Sequence, residues 1–245
     1  MGTAVVHFTA AALTDRGRKR PSNEDAFGYS VEHGVYIVCD GMGGAAAGEI
    51  ASSLGVDEVM KRLTQRSPAN PFPTDAEEAI GAANQAIFNR SQRNNKLSGM
   101  GTTLVALLTN ERHVWMVNVG DSRGYRMRSG RLEQITVDHS LVEEQVRMGR
   151  LERSDALRSP LRNVITRALG TQSCVTPDIF ELETAPGDLF LLCSDGLTRE
   201  LSDSLIESLL RVGAPLDELC RRLVAAANQA GGHDNITCLL IRAEA

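Results

Sequence analysis

Apolar residues along this chain fall mostly into short, separated runs. Val5–Ala12 opens the chain and Val35–Cys39 follows Gly34. Thr102–Leu108 and His113–Val119 form a pair across Asn110-Glu111, and Ile236–Ile241 closes the chain. Short apolar runs bounded by turn formers predict strands. Tyr125–Arg128 and Leu132–Thr136 flank Ser129-Gly130, a hairpin signal, and Ile179–Leu182 and Leu189–Cys193 flank the turn Pro186-Gly187-Asp188. Helical patterns are fewer and longer. Ala45–Leu63 ends on basic Lys61 and Arg62, and Asp75–Arg93 has Thr74 as N-cap with Glu77 and Glu78 in its first turn. Ser202–Arg211 and Leu216–Ala230 follow, with Pro215 at the start of the second. Strands in hairpins and helices in pairs do not make an alternating βαβ chain. They predict an α+β protein in which antiparallel sheets pack together and helices cover the outside.

Composition narrows the class. Of 245 residues, 42% are apolar, enough for a sizeable core. The Pro-rich loop Ser67–Thr74 divides two helical patterns rather than two domains, so residues 1–245 are read as a single domain. A net charge of −5 without a block of like charge argues against nucleic-acid or anionic-membrane partners. No long apolar stretch, no signal peptide and, with Val6 where Ser or Thr belongs, no myristoylation signal are present. A soluble, cytoplasmic monomer is expected. The 5 cysteines form no CxxC pair and are read as small core residues in a reducing compartment.

The candidate chemistry lies in where the aspartates fall. Asp40 directly follows Val35–Cys39, and Asp121 follows His113–Val119 after Gly120. Asp195 follows Leu189–Cys193 after Ser194, and Asp234 precedes Ile236–Ile241. Carboxylates at strand ends that converge on one edge would repel one another, and divalent cations resolve that repulsion. Hard oxygen donors without a His/Cys cluster suit Mg²⁺ or Mn²⁺. Arg20-Pro-Ser-Asn-Glu24-Asp25 adds a cation able to clamp phosphate oxygens, and two acids able to accept from metal-bound water.

Taken in order, Arg20-x-x-Asn23-Glu24-Asp25, Val38-Cys39-Asp40-Gly41-Met42-Gly43-Gly44, Gly101-Thr102-Thr103, Val119-Gly120-Asp121-Ser122-Arg123, Ser194-Asp195-Gly196-Leu197 and Asp234-Asn235-Ile236-Thr237 resemble the motif series of the metal-dependent type 2C serine/threonine protein phosphatases, of the bacterial stand-alone type. The resemblance implies a four-layer α-β-β-α sandwich, two antiparallel sheets flanked by helix pairs. It implies hydrolysis of phosphoserine and phosphothreonine on proteins by metal-activated water, opposed by a Ser/Thr kinase. Asp40 would bridge two Mn²⁺ or Mg²⁺ ions, joined by the Gly41 carbonyl, with Asp195 and Asp234 on the other ion. Asp121 with Asp195 would hold a third, weaker ion. Glu24 and Asp25 would act through water, Arg20 would bind the substrate phosphate, and residues 138–167 would form a flap beside the site.

One position departs from many eukaryotic relatives: Met42 stands where they carry a histidine proposed as general acid, and a thioether cannot transfer a proton. His139, at the flap entrance, is read as a loop residue. Competing readings are weaker. Cys193-x5-Arg199 has the spacing of a cysteine-dependent phosphatase loop, but Leu192 and Glu200 break its pattern. Gly41-Met-Gly43-Gly44 lacks the βαβ unit of a dinucleotide site. His233-Asp234, a metal doublet when inside a helix, sits beside Gly231-Gly232 and a strand. A pseudophosphatase that only binds phosphoproteins would be expected to lack one of the acids.

Overall fold

The computed structural model describes residues 6–66, 72–110, 113–156 and 159–245. Most of the Pro-rich loop (67–71), Val5 of the opening strand and Glu111 of the predicted turn lie outside them. The first sheet runs β1 (His7–Asp15), β11 (Ile236–Glu244), β10 (Leu189–Cys193), β7 (Arg123–Arg128), β8 (Arg131–Gln134). The second runs β2 (Asp25–Ser30), β3 (Val35–Met42), β5 (Leu104–Thr109), β6 (Val114–Val119), β9 (Asp178–Leu182), with β4 (Gly101–Thr102) pairing the far end of β3. All pairings are antiparallel.

Helices α1 (Ala45–Thr64) and α2 (Phe72–Arg93) cover the second sheet, and α6 (Asp203–Leu210) and α7 (Leu216–Ala230) cover the first. Two short helices, α3 (Leu141–Arg147) and α4 (Arg153–Ala156), lie within 138–167, and α5 (Asp195–Thr198) follows β10. The architecture is the expected α-β-β-α sandwich.

Because each sheet is covered on both faces, its central strands are apolar throughout, and alternation sorts their side chains between layers. In β3, Val35, Ile37 and Cys39 face the helices while Tyr36 and Val38 face the other sheet. In β10, Leu189, Leu191 and Cys193 face the helices while Phe190 and Leu192 face inward. In β11, Leu239 and Ile241 face inward, against Cys238 and Leu240. Each fully buried side chain of this kind contributes about 1.5–3 kcal/mol.

Two local expectations change. Helix α2 begins at Phe72, so Thr74 lies inside its first turn with Pro73, a position proline tolerates because its missing N–H would be unpaired there. Arg66 stacks on the Phe72 ring at 3.6 Å. The turn Pro186-Gly187-Asp188 is real but joins no hairpin, since β9 belongs to one sheet and β10 to the other. Asp188, fully buried, accepts from Arg128 Nε and Nη2 at 2.7 Å each, which anchors the crossing.

Candidate metal centre

The inward-facing alternation of both sheets continues past the apolar layer and there becomes polar. Beyond Tyr36 and Val38 comes Asp40, and beyond Phe27 comes Asp25. Beyond Phe190 and Leu192 comes Ser194, and before Leu239 comes Thr237. Asp40 therefore lies inside the β3 ladder, not after it, directly opposite Asp25 on β2. Two carboxylates on adjacent strands share one face at the open end of the inter-sheet layer.

Each acid is held by its backbone or by hydroxyls. The Asp40 amide donates to Thr103 Oγ1 at 3.0 Å, and its carbonyl accepts from the Thr103 amide and from Thr102 Oγ1 at 2.9 Å each. Thr102 and Thr103 sit where the β4–β5 strand breaks. Asp25 Oδ2 accepts from Ser194 Oγ and Thr237 Oγ1, both at 2.7 Å. Asp195 opens α5, and Asp121 follows Gly120, whose φ of 109° is a glycine conformation. Gly41 and Gly196 allow close backbone approach: a Cβ on Gly41 would strike the Gly48 and Glu24 carbonyls, and one on Gly196 the Asn235 carbonyl. Asn235 ties the Arg20 segment to β11: its Oδ1 accepts from the Glu24 amide, and its Nδ2 donates to the Arg16 and Ser22 carbonyls.

The electrostatics are those of crowded acids. Burial raises the Asp40 carboxyl well above its usual range, and Asp25, Asp195, Asp121 and Asp234 add to the effect. Asp195 is raised in the same way, by burial and then by Asp121. Burial pushes Asp25 and Asp121 each up to about 6, and raises Glu24 as well. Asp25 Oδ1, Asp121 Oδ1 and Asp195 Oδ1 are buried with no hydrogen-bond partner. Orphaned carboxylate oxygens of this kind are costly unless a proton or a cation serves them. The donor set, hard oxygens throughout, fits divalent cations of the Mg²⁺ or Mn²⁺ type.

Two arginines also reach the acids. Arg20 donates to Asp234 Oδ2 at 2.7 Å. Arg199, one turn beyond Asp195, contacts Asp195 Oδ2, lies 3.5 Å from Asp234 Oδ2 and 3.8 Å from Asp121 Oδ2. Among the described residues, no three His, Cys, Asp or Glu side chains close around one point.

The structure thus gathers Arg20, Glu24, Asp25, Asp40, Gly41, Asp121, Asp195 and Asp234 at one end of the sandwich. Sequence reading missed the positioning roles of Ser194, Thr237 and Asn235, and it noticed Arg199 only in the cysteine-phosphatase pattern. The i, i+4 spacing of Asp195 and Arg199 was the available signal. Cys193 faces the helix layer, its thiol raised by burial, on the opposite side of β10 from the acids. His233 pairs with Glu200 at 2.8 Å. His139 is buried and hydrogen-bonded through both ring nitrogens, to the Gly120 amide and to Asp178.

Residues 15–240 match the family model described as protein phosphatase 2C. The chain belongs to that family. Among its type 2C relatives, serine/threonine phosphatase stp of Listeria monocytogenes is 40% identical over 234 residues, 93% of each chain. Serine/threonine protein phosphatase PstP of Mycobacterium tuberculosis is 40% identical over 232 residues, 94% of this chain and 44% of that protein. The crystal structure of the catalytic domain of PstP in complex with two manganese ions superposes with a TM-score of 0.89 at 34% identity, over 98% of this chain and all of that one. For a type 2C phosphatase, the thiolate and dinucleotide readings fall away.

Proposed function

We propose that this type 2C phosphatase hydrolyses phosphoserine and phosphothreonine esters on proteins, using a pair of divalent cations held by Asp40, the Gly41 carbonyl, Asp195 and Asp234. The observation that carries the reading is the cluster of acids at the open end of the inter-sheet layer, where Asp40 is raised by burial and by its acidic neighbours and Asp25, Asp121 and Asp195 each keep a buried, unpartnered oxygen. Bound Mn²⁺ or Mg²⁺ supplies Lewis acidity and lowers the pKa of water to near neutrality. The chain's own groups do the rest. Asp25 and Glu24 accept from ordered water at the rim, with Asp25 oriented by Ser194 and Thr237. Arg20 orients the phosphoryl oxygens and offsets their charge, with a fork geometry that a lysine lacks.

Residues 1–245 act as one catalytic domain, with 138–167 as the flap that meets substrate. The substrates are phosphoproteins made by a Ser/Thr kinase, and the enzyme works as a cytoplasmic monomer without nucleic-acid or membrane partners. Among the described residues no helix is long and apolar enough to cross a membrane. A third, weaker ion held by Asp121 with Asp195 completes this reading. The test is hydrolysis of a phosphothreonine peptide after exhaustive chelation. Activity should vanish and return with Mn²⁺ or Mg²⁺, and full activity in the stripped protein would refute the reading.

A further inference from the structure

We propose that the cavity beside the 138–167 segment is an anion subsite for the substrate protein, in which Arg162 holds an acidic group close in sequence to the phosphorylated residue. This deepens the phosphatase reading above and rests on it. A cavity of about 550 Å³ is bordered by Arg162 and Asn163 of that segment and by Thr198, Arg199 and Ser202 beyond β10. A second, of about 490 Å³, is lined by Arg20 and Asp234. Arg162, Asn163, Arg199 and Glu200 line both, which joins them into one trough. The trough runs from the arginine assigned to the phosphoryl group to the 138–167 segment. A peptide whose phosphoryl group meets Arg20 lays a neighbouring side chain against Arg162.

The charges in the first cavity select what that side chain is. Arg123 donates to both oxygens of Asp138, at 3.0 and 2.8 Å, and Arg153 donates to Glu143 at 2.7 Å. Glu200 accepts from the His233 amide at 2.9 Å and pairs with its ring at 2.8 Å. Asp121 and Asp195 belong to the metal centre, and Arg199 is turned toward them. Of the arginines lining this cavity, Arg162 is the one without an acidic partner among the described residues, and it is exposed. Its backbone is nonetheless held. The Arg162 amide donates to the Ser159 carbonyl at 3.2 Å, the Leu141 amide donates to the Val164 carbonyl at 2.9 Å, and Ser140 bridges Ile165. A guanidinium presented from a fixed turn loses less freedom on binding. Its planar fork fits a carboxylate or a phosphate.

The experiment compares Mn²⁺-dependent kcat/KM on phosphothreonine peptides that differ at one neighbouring position, scanned along both sides. That position carries glutamine, lysine, glutamate or a non-hydrolysable phosphonate analogue of phosphoserine. A charged hydrogen bond discounted for solvent exposure predicts that the best-placed anionic peptide exceeds its glutamine counterpart by about three- to thirty-fold in wild type. Glutamate against phosphonate tells a carboxylate site from a phosphate site. In Arg162→Ala the ratio of anionic to glutamine peptide should fall to about one, and Arg162→Lys should restore part of it. Arg162→Glu should reverse the order in favour of the lysine peptide, an outcome that a general loss of structure does not produce. Equal rates on anionic and glutamine peptides in wild type, or a preference that survives in Arg162→Ala, would overturn the subsite and leave the phosphatase reading standing. A wild type that hydrolyses none of the peptides with Mn²⁺ would overturn both.

Discussion

The Gly120 amide donates to His139 Nδ1 at 3.0 Å, and this bond fixes the turn that presents Asp121. His139 answers along the backbone as well, its own amide donating to the Gly120 carbonyl at 2.9 Å. With Nδ1 an acceptor, the ring is the neutral tautomer whose Nε2–H points to Asp178 Oδ2 at 3.1 Å. Asp178 also pairs with Arg167 at 2.7 Å, so the two ends of the 138–167 segment are pinned to the second sheet beside Asp121. The imidazole has no face left for proton transfer to substrate.

That arrangement sets a pH dependence. Burial, and then Arg167, lower the His139 pKa below its ordinary value, against the pull of Asp178 and Asp138. The unfolded chain then binds more protons than the folded one between the lowered pKa and about 6.5, so stability rises with pH across that window and is lost on acidification. His139→Phe should flatten this slope. It should also cost about 1–3 kcal/mol at pH 8, because the Gly120 amide loses its buried acceptor. Urea unfolding of both proteins at pH 5.5 and pH 8 reads both effects. An unchanged slope in the variant would show that His139 does not titrate with folding.

Arg20 has two calls on it, Asp234 and the substrate phosphate. A charged hydrogen bond to phosphate contributes about 1.5–3 kcal/mol, so Arg20→Ala should lower kcat/KM on a phosphopeptide by about ten- to a hundred-fold. Its contact with Asp234 adds a second expectation: Mn²⁺ affinity in the variant should hold or rise, since a competing cation has left a carboxylate. Calorimetry beside steady-state kinetics separates the two. An unchanged rate would make Arg20 only the counter-ion of Asp234.

The layered fold was legible in the sequence because β3, β10 and β11 are buried on both faces and read as unbroken apolar runs. Less legible was where Asp40 stands. The run appeared to stop at Cys39, yet hydrogen bonding carries β3 on to Met42, with Asp25 across the ladder. Following alternation outward from Tyr36 and Val38, and from Phe27, would have placed both acids on one face. The Pro186-Gly187-Asp188 turn could not reveal that it crosses between sheets, because turn chemistry is local and sheet membership is not. Arg199 was hidden for the same reason. Asp195 is its neighbour in sequence, whereas Asp121 and Asp234, which it also approaches, lie far from it along the chain.

Cys193 and Asp195 lie two residues apart and on different sides of the chemistry. Cys193 packs toward Leu197 and α7 in the helix layer, and its thiol is raised by burial, which disfavours the thiolate a nucleophile needs. Asp195 opens α5 at the acid cluster with Oδ1 unpartnered. Cys193→Ser puts a hydroxyl into an apolar layer and should cost about 1–3 kcal/mol of stability. Its Mn²⁺-dependent turnover, measured well below its melting point, should stay near wild type. Asp195→Asn keeps shape and volume but removes the charge that a cation and Arg199 both require, so it should fold, bind Mn²⁺ poorly and turn over almost nothing. Phosphopeptide assays and Mn²⁺ titrations on the two purified variants decide it. A folded Cys193→Ser without activity beside an active Asp195→Asn would transfer the chemistry from metal to thiolate and defeat the central assignment.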